Sequence, residues 1–224
     1  MPQRYGLIVI LLLFFYVPGF SQSGDLEEHY LEDQLYASIN YNFFRSRPQD
    51  YQRTGLPVGF QLGFIKDVPL TKSGRYAFAI GGGYSISNYK HNIELPAYVL
   101  EDYALVNASG TLVTHAVELP IEFRFRTSSP EIKPFFRAYG GFLFQYIFYA
   151  RNIYRQDGVP TERETVTPLL DRSQHGFYIS VGYGNINGYL FFGTKPLFVR
   201  SPEYTRSAVT EMKSVKIGLR FYIF

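Results

Sequence analysis

"HAVELPIEFRFR", residues 115 to 126, keeps a strict period of two: Val117, Leu119, Ile121, Phe123 and Phe125 hold one phase, and Glu118, Glu122, Arg124 and Arg126 the other. Successive side chains of a strand leave opposite faces, so the period is that of a β-strand. One face of this strand must meet an apolar medium and the other a place where four charges can be tolerated.

The same period returns in eight segments, at about 34–44, 58–66, 75–88, 115–126, 134–149, 175–184, 189–199 and 214–224. In the second, Phe60, Leu62 and Phe64 oppose Gly59, Gln61 and Gly63. In the sixth, Phe177, Ile179, Val181 and Tyr183 oppose Tyr178, Ser180 and Gly182, and in the last Val215, Ile217, Leu219, Phe221 and Ile223 oppose Lys216, Gly218 and Arg220. The chain holds 20 Tyr and 21 Phe but no Trp, which suits strands. Its connections alternate: long ones at 45–57, 89–114, 150–174 and 200–213, and shorter ones at 67–74, 127–133 and the turn Asn185-Ile186-Asn187-Gly188, whose Asn-Gly ending is a hairpin signal. An even number of antiparallel strands with loops alternating long and short is the pattern of an outer-membrane barrel. The fold expected is therefore all-β, an eight-stranded antiparallel up-and-down transmembrane β-barrel, with both termini on the periplasmic side.

The start of the chain agrees with export. Arg4, an apolar run from Leu7 to Val17, and Gly19 and Ser21 read as a secretory signal peptide over 1–21. The run of about 11 residues is too short for a membrane helix, which needs about 20. Residues 22–33, with Asp25, Glu27, Glu28, Glu32 and Asp33, form an acidic periplasmic lead-in, and 34–224 the barrel. The absence of Cys excludes disulfides, thiolate metal sites and a lipidated N-terminal Cys. A formal charge of +3 gives no argument for a nucleic-acid partner.

On the lipid face each cation near the midplane would cost about 2–4 kcal/mol. Turned inward, Glu118, Glu122, Arg124 and Arg126 can meet Arg137, Lys216 and Arg220, and an eight-stranded interior is narrow enough to be filled by such side chains. These seven residues form the expected interior polar network. Pro120 sits mid-strand without a donor, and a bulge is expected there. Alternation alone does not say which face is outside, so a lipocalin-type soluble barrel is the structural rival. Tyr76, Tyr89, Tyr146, Tyr149 and Tyr222 suit interfacial girdles and favour the membrane barrel.

His91, His115 and His175 fall near the long-loop ends of their segments, with Asp102 and Ser109 in the loop between. A rim cluster of three imidazoles would suit a metal or a hydrolase, but no G-x-S-x-G accompanies it, and polar rim residues are the preferred reading. Gly81-Gly82-Gly83 lacks the Lys and helix of a phosphate loop and reads as room for inward Arg side chains. No catalytic residue, metal or cofactor is expected.

The run "HAVELPIEFRFRTSSPEIKPFFRAYGGFLFQY", with "GGGYSISNY" before it and the ending "GLRFYIF", resembles the PorT-like small outer-membrane β-barrel proteins of Bacteroidota. The resemblance implies an outer-membrane location and, from the family's namesake, a role in the type IX secretion system. The function expected is that of a non-enzymatic accessory of protein secretion or envelope assembly with a side-chain-filled lumen, embedded in outer-membrane lipid and touching secretion-system or envelope-assembly proteins. A small pore and a rim enzyme are the alternatives.

Overall fold

A computed structural model describes residues 34–49, 51–71, 73–92, 109–127, 136–155, 161–199 and 209–223. The expected signal peptide, the acidic lead-in and Asp102 lie outside the described residues. Among the described residues there are nine strands: β1 (Gln34–Arg45), β2 (Val58–Pro69), β3 (Tyr76–His91), β4 (Ser109–Arg126), β5 (Phe136–Arg155), β6 (Glu162–Thr165), β7 (Ser173–Tyr183), β8 (Ile186–Pro196) and β9 (Lys213–Ile223). All pairings are antiparallel. Each strand joins the next, β5 passes directly to β7, and β9 pairs with β1 from Leu35↔Ile223 to Arg45↔Lys213, so eight strands close a barrel. β6 stands outside the ring and bonds β5 over Arg151–Tyr154.

The observed strands extend past several expected bounds. β4 starts at Ser109 and β5 runs to Arg155, pairing along the whole length from Ser109↔Arg155 to Arg126↔Arg137. The β7–β8 turn is Gly184-Asn185, since Tyr183 pairs with Ile186, and the Asn187-Gly188 expected in the turn lies in β8. Gly184 has φ 59°, the positive value a type II′ hairpin needs at its first central position. The bulge is also displaced. Gly83↔Glu118 and Ile80↔Ile121 keep one register across Pro120, where the pairing merely lapses. The shift lies where His115 and Ala116 pair Tyr149 and Ile147, leaving Phe148 extra in β5, so that Phe148 and Tyr149 both face outward.

Which face is outside is settled by burial. Phe60, Leu62, Phe64, Phe78, Ile80, Phe144, Phe177, Ile179, Ile217 and Leu219 are each 44–60 % exposed, while Arg124, Arg126 and Arg137 are fully buried. A wall apolar outside and charged inside is the inverse of a water-soluble barrel and excludes the lipocalin rival. Of the expected girdle tyrosines, Tyr76, Tyr146 and Tyr149 face out, but Tyr89 and Tyr222 are buried inside. Both share strand parity with inward residues, Tyr89 with Ser87 and Tyr222 with Arg220, and that parity decides their side.

Candidate functional site: the filled lumen

All seven interior candidates lie in the lumen, from Arg126 near the short-turn end to Lys216 at mid-height, and none is more than 4 % exposed. Their main organiser is a residue outside that set. Asp67, near the end of β2, takes Arg124 Nη1 on Oδ1 and Arg126 Nη1 on Oδ2, each at 2.6 Å. Arg124 Nε also donates to Glu122 Oε2 at 2.7 Å, and Arg126 Nε to the carbonyl of Gly74 in the β2–β3 turn at 2.7 Å. Glu122 Oε1 accepts from Tyr178 Oη at 2.6 Å and lies 3.5 Å from Arg220 Nη1. One level higher, Glu118 accepts from Gln61 Nε2 at 2.9 Å and from Gln145 Nε2 at 2.6 Å, while Arg220 reaches Ser38 Oγ at 2.9 Å and Gln61 Oε1 at 3.3 Å.

The remaining positive charge is met by rings. Arg220 lies over Tyr189 at 4.0 Å, Tyr36 at 4.6 Å and Tyr178 at 5.2 Å from the centroids, Arg124 lies over Tyr139, and Arg137 lies over Tyr222. Stacking on weakly hydrated guanidinium suits a dry interior. These rings need space on the neighbouring strands. A Cβ on Gly63 would stand 2.6 Å from Tyr36, and one on Gly83 would overlap the same phenol. Gly141 makes the same room for Tyr178, its cross-strand partner. So Gly83 clears a slot for a tyrosine, and not for an arginine as the sequence suggested. Gly83→Val is expected to destabilise the barrel by about 1–3 kcal/mol, read as a lower urea midpoint in micelles, because the Tyr36 ring has no second position inside the packed lumen.

The other half of the lumen is apolar. Phe44, Tyr89, Leu112, Ala116, Ile147 and Ala150 of the wall pack against Val166, Leu170, Leu197, Phe198, Val209 and Met212 of the long connections, which fold inward over the mouth. Phe44 and Tyr89 stack at 4.4 Å. Backbone bonds pin this cork in place: Val166 N to Ala150 O at 3.0 Å, Asp171 N to Leu197 O at 2.9 Å and Leu197 N to Met212 O at 2.9 Å. Between the two fillings lies a cavity of about 20 Å³, faced by Ser85, Ser87, Thr114, Gln145, Gln174 and Lys216, with room for about one water. Lys216 Nζ donates to Ser87 Oγ there at 3.0 Å. Tyr51 of the first long connection packs edge-on against Phe44 beside the cork and donates its hydroxyl to Lys90 O at 2.9 Å. Burial there pushes the Tyr51 phenol pKa above its usual value, against the pull of Arg47 and Arg53.

The three histidines do not form a rim cluster. His91 is buried inside, 3.2 Å from Asn152 Oδ1. His115 and His175 belong to the outward phase: His115 Nδ1 is 2.5 Å from the Tyr84 hydroxyl, and His175 sits by Phe142 and Phe144. Strand parity separates them, since His91 follows Ser87 and Tyr89 inward while His115 and His175 share the phase of Val117 and Phe177. Among the described residues, no group of three His, Asp or Glu is placed to hold a metal.

A closed eight-stranded wall with an apolar exterior and a charged, packed lumen defines an outer-membrane β-barrel protein. The chain matches the outer membrane protein beta-barrel domain family over residues 20–199 and belongs to that family. Among solved structures it is similar to Ail, the attachment invasion locus protein of Yersinia pestis, determined with the heparin analogue sucrose octasulfate, at 10 % identity over 86 % of this chain and 99 % of that one, with a TM-score of 0.34. A mutant of the Rh. blastica porin follows at 8 % identity, covering 87 % of this chain and 100 % of that one, with a TM-score of 0.22. A comparison with curated proteins finds no match.

Proposed function

We propose that this outer-membrane barrel is a non-enzymatic accessory of protein secretion or envelope assembly, a rigid wall that holds its loops and turns in place for partner proteins. The PorT-like run around residues 115–146 directs the proposal to the type IX secretion system. In this reading the long connections face the cell exterior, and both ends of the chain the periplasm.

The observation that carries the reading is the double filling of the lumen. A solute pore needs a continuous water path. Here a layer of buried ion pairs and stacked tyrosines lies in series with an apolar cork, and the cavity between them has room for about one water. What is left to act is the surface. The test is an affinity pull-down of the tagged chain from detergent-solubilised outer membrane, with co-purifying proteins identified by mass spectrometry. Secretion-system subunits in fixed proportion are expected, and recovery of the barrel alone would overturn the accessory role.

A further inference from the structure

We infer that the cavity between the two fillings of the lumen is a binding site for one small monovalent anion, a halide, held by Lys216. Every residue that forms it belongs to the lumen, so the site stands apart from the partner proteins proposed above.

Lys216 of β9 is 2 % exposed, yet of the three protons on its ammonium group one is spent, on Ser87 Oγ at 3.0 Å. Among the described residues no carboxylate comes within ion-pair distance of Nζ, and its other neighbour is the Phe191 ring, with the centroid 5.6 Å away. The carboxylates described in the lumen are engaged elsewhere. Asp67 holds Arg124 and Arg126, Glu122 holds Arg124 and Tyr178, and Glu118 accepts from Gln61 and Gln145. Glu118 is near enough to attract Lys216, but it does not line the cavity, whereas Gln145, which donates to it, does. A buried ammonium group without a direct counter-ion is costly. Water in contact with it accepts a hydrogen bond and leaves the charge as it was; a halide accepts the bond and neutralises the charge.

The cavity supplies the rest of a coordination shell. The Ser85 hydroxyl, two residues before Ser87 on the inward phase of β3, is 2 % exposed and has no hydrogen-bond partner among the described residues. Gln145 spends one amide proton on Glu118 and keeps the second. Lys216, Ser85 and Gln145 therefore bring unspent protons to one space of about 20 Å³. That volume also sets the size of the ligand: a halide is a single atom little larger than a water, while sulfate, phosphate or a carboxylate brings several heavy atoms. The lining comes from β3, β4, β5, β7, β8 and β9, so the ion ties opposite sides of the wall together.

Because the site is enclosed, the test loads it during folding: the full chain is refolded from urea into micelles in sodium bromide or, at equal ionic strength, in sodium sulfate. Anomalous diffraction from crystals of the bromide preparation is expected to place one bromide within hydrogen-bond reach of Lys216 Nζ and Ser85 Oγ. The urea midpoint, read by gel band shift, is expected to rise with bromide concentration as the site fills, and to lose this response in Lys216→Met. Sulfate strengthens burial without a site, so a rise specific to bromide runs against the ordinary salt order. Ser85→Ala should need about tenfold more bromide for the same rise, the loss of one hydrogen bond to a charged group. Water alone at this place in the anomalous map, or a bromide response that survives in Lys216→Met, would sink the inference. If Lys216→Met does not fold, the map of the parent decides alone.

Discussion

Replacing Asp67 by Ala is expected to lower the stability of the barrel by about 3–5 kcal/mol, the largest effect of any single side chain in the lumen, because two guanidinium groups would stay buried without the carboxylate that both of them grip. The loss reaches beyond the two arginines. Arg126 also holds the carbonyl of Gly74, so the β2–β3 turn should loosen with it. Urea titration of the protein in vesicles, followed by the shift between folded and unfolded gel bands, measures the change. Adding Arg126→Met to Asp67→Ala should restore part of it, since removing a buried charge with its partner costs far less than removing one alone. A loss under about 1 kcal/mol in the single variant would mean that water reaches this layer and that the lumen is wet.

The second large effect concerns conduction. Two fillings in series predict that opening either one leaves the barrel silent in planar bilayers. Tyr36→Ala/Tyr189→Ala/Arg220→Ala removes the arginine–tyrosine stack from the polar layer without stranding Glu122, which keeps Arg124 and Tyr178. Phe44→Ala/Leu170→Ala/Phe198→Ala empties the centre of the cork. Each set removes packed volume at about 2–5 kcal/mol per large residue, so folding is checked first by band shift. Stepwise conductance is expected only when the two sets are combined. Current through either set alone would show that one filling does the sealing and the other merely packs.

Much of this interior could be read from parity. Strand phase alone places Glu122, Arg124 and Arg126 on the opposite side from Phe123 and Phe125, and the cost of charge in hydrocarbon says which side is inside. Asp67 lies one residue past the expected end of the second segment at 66, although Gln61, Gly63, Ile65 and Asp67 continue one phase. The tyrosine partners were on the correct phase, but no pattern along one strand says that Tyr36 of β1 will lie over Gly63 and Gly83 of its neighbours. The cork was illegible for a different reason. Val166, Leu170, Phe198 and Met212 come from connections without a period, and only the closed wall gives them something to pack against.

The polar layer draws on strands from both ends of the chain: Ser38 of β1, Asp67 of β2, Glu122 and Arg124 of β4, Tyr178 of β7 and Arg220 of β9. Arg220 belongs to β9, the last strand of the closed wall along the chain, and Ser38 to β1, the first. A sheet lacking β9 would leave Tyr36 and Tyr189 without the guanidinium between them and keep the β1 edge open. Completion of the arginine–tyrosine stack and closure of the sheet between β1 and β9 are therefore one event. A sheet without the eleven-residue β9 would hold unpaired backbone groups along β1 and β8 in hydrocarbon, where each is costly.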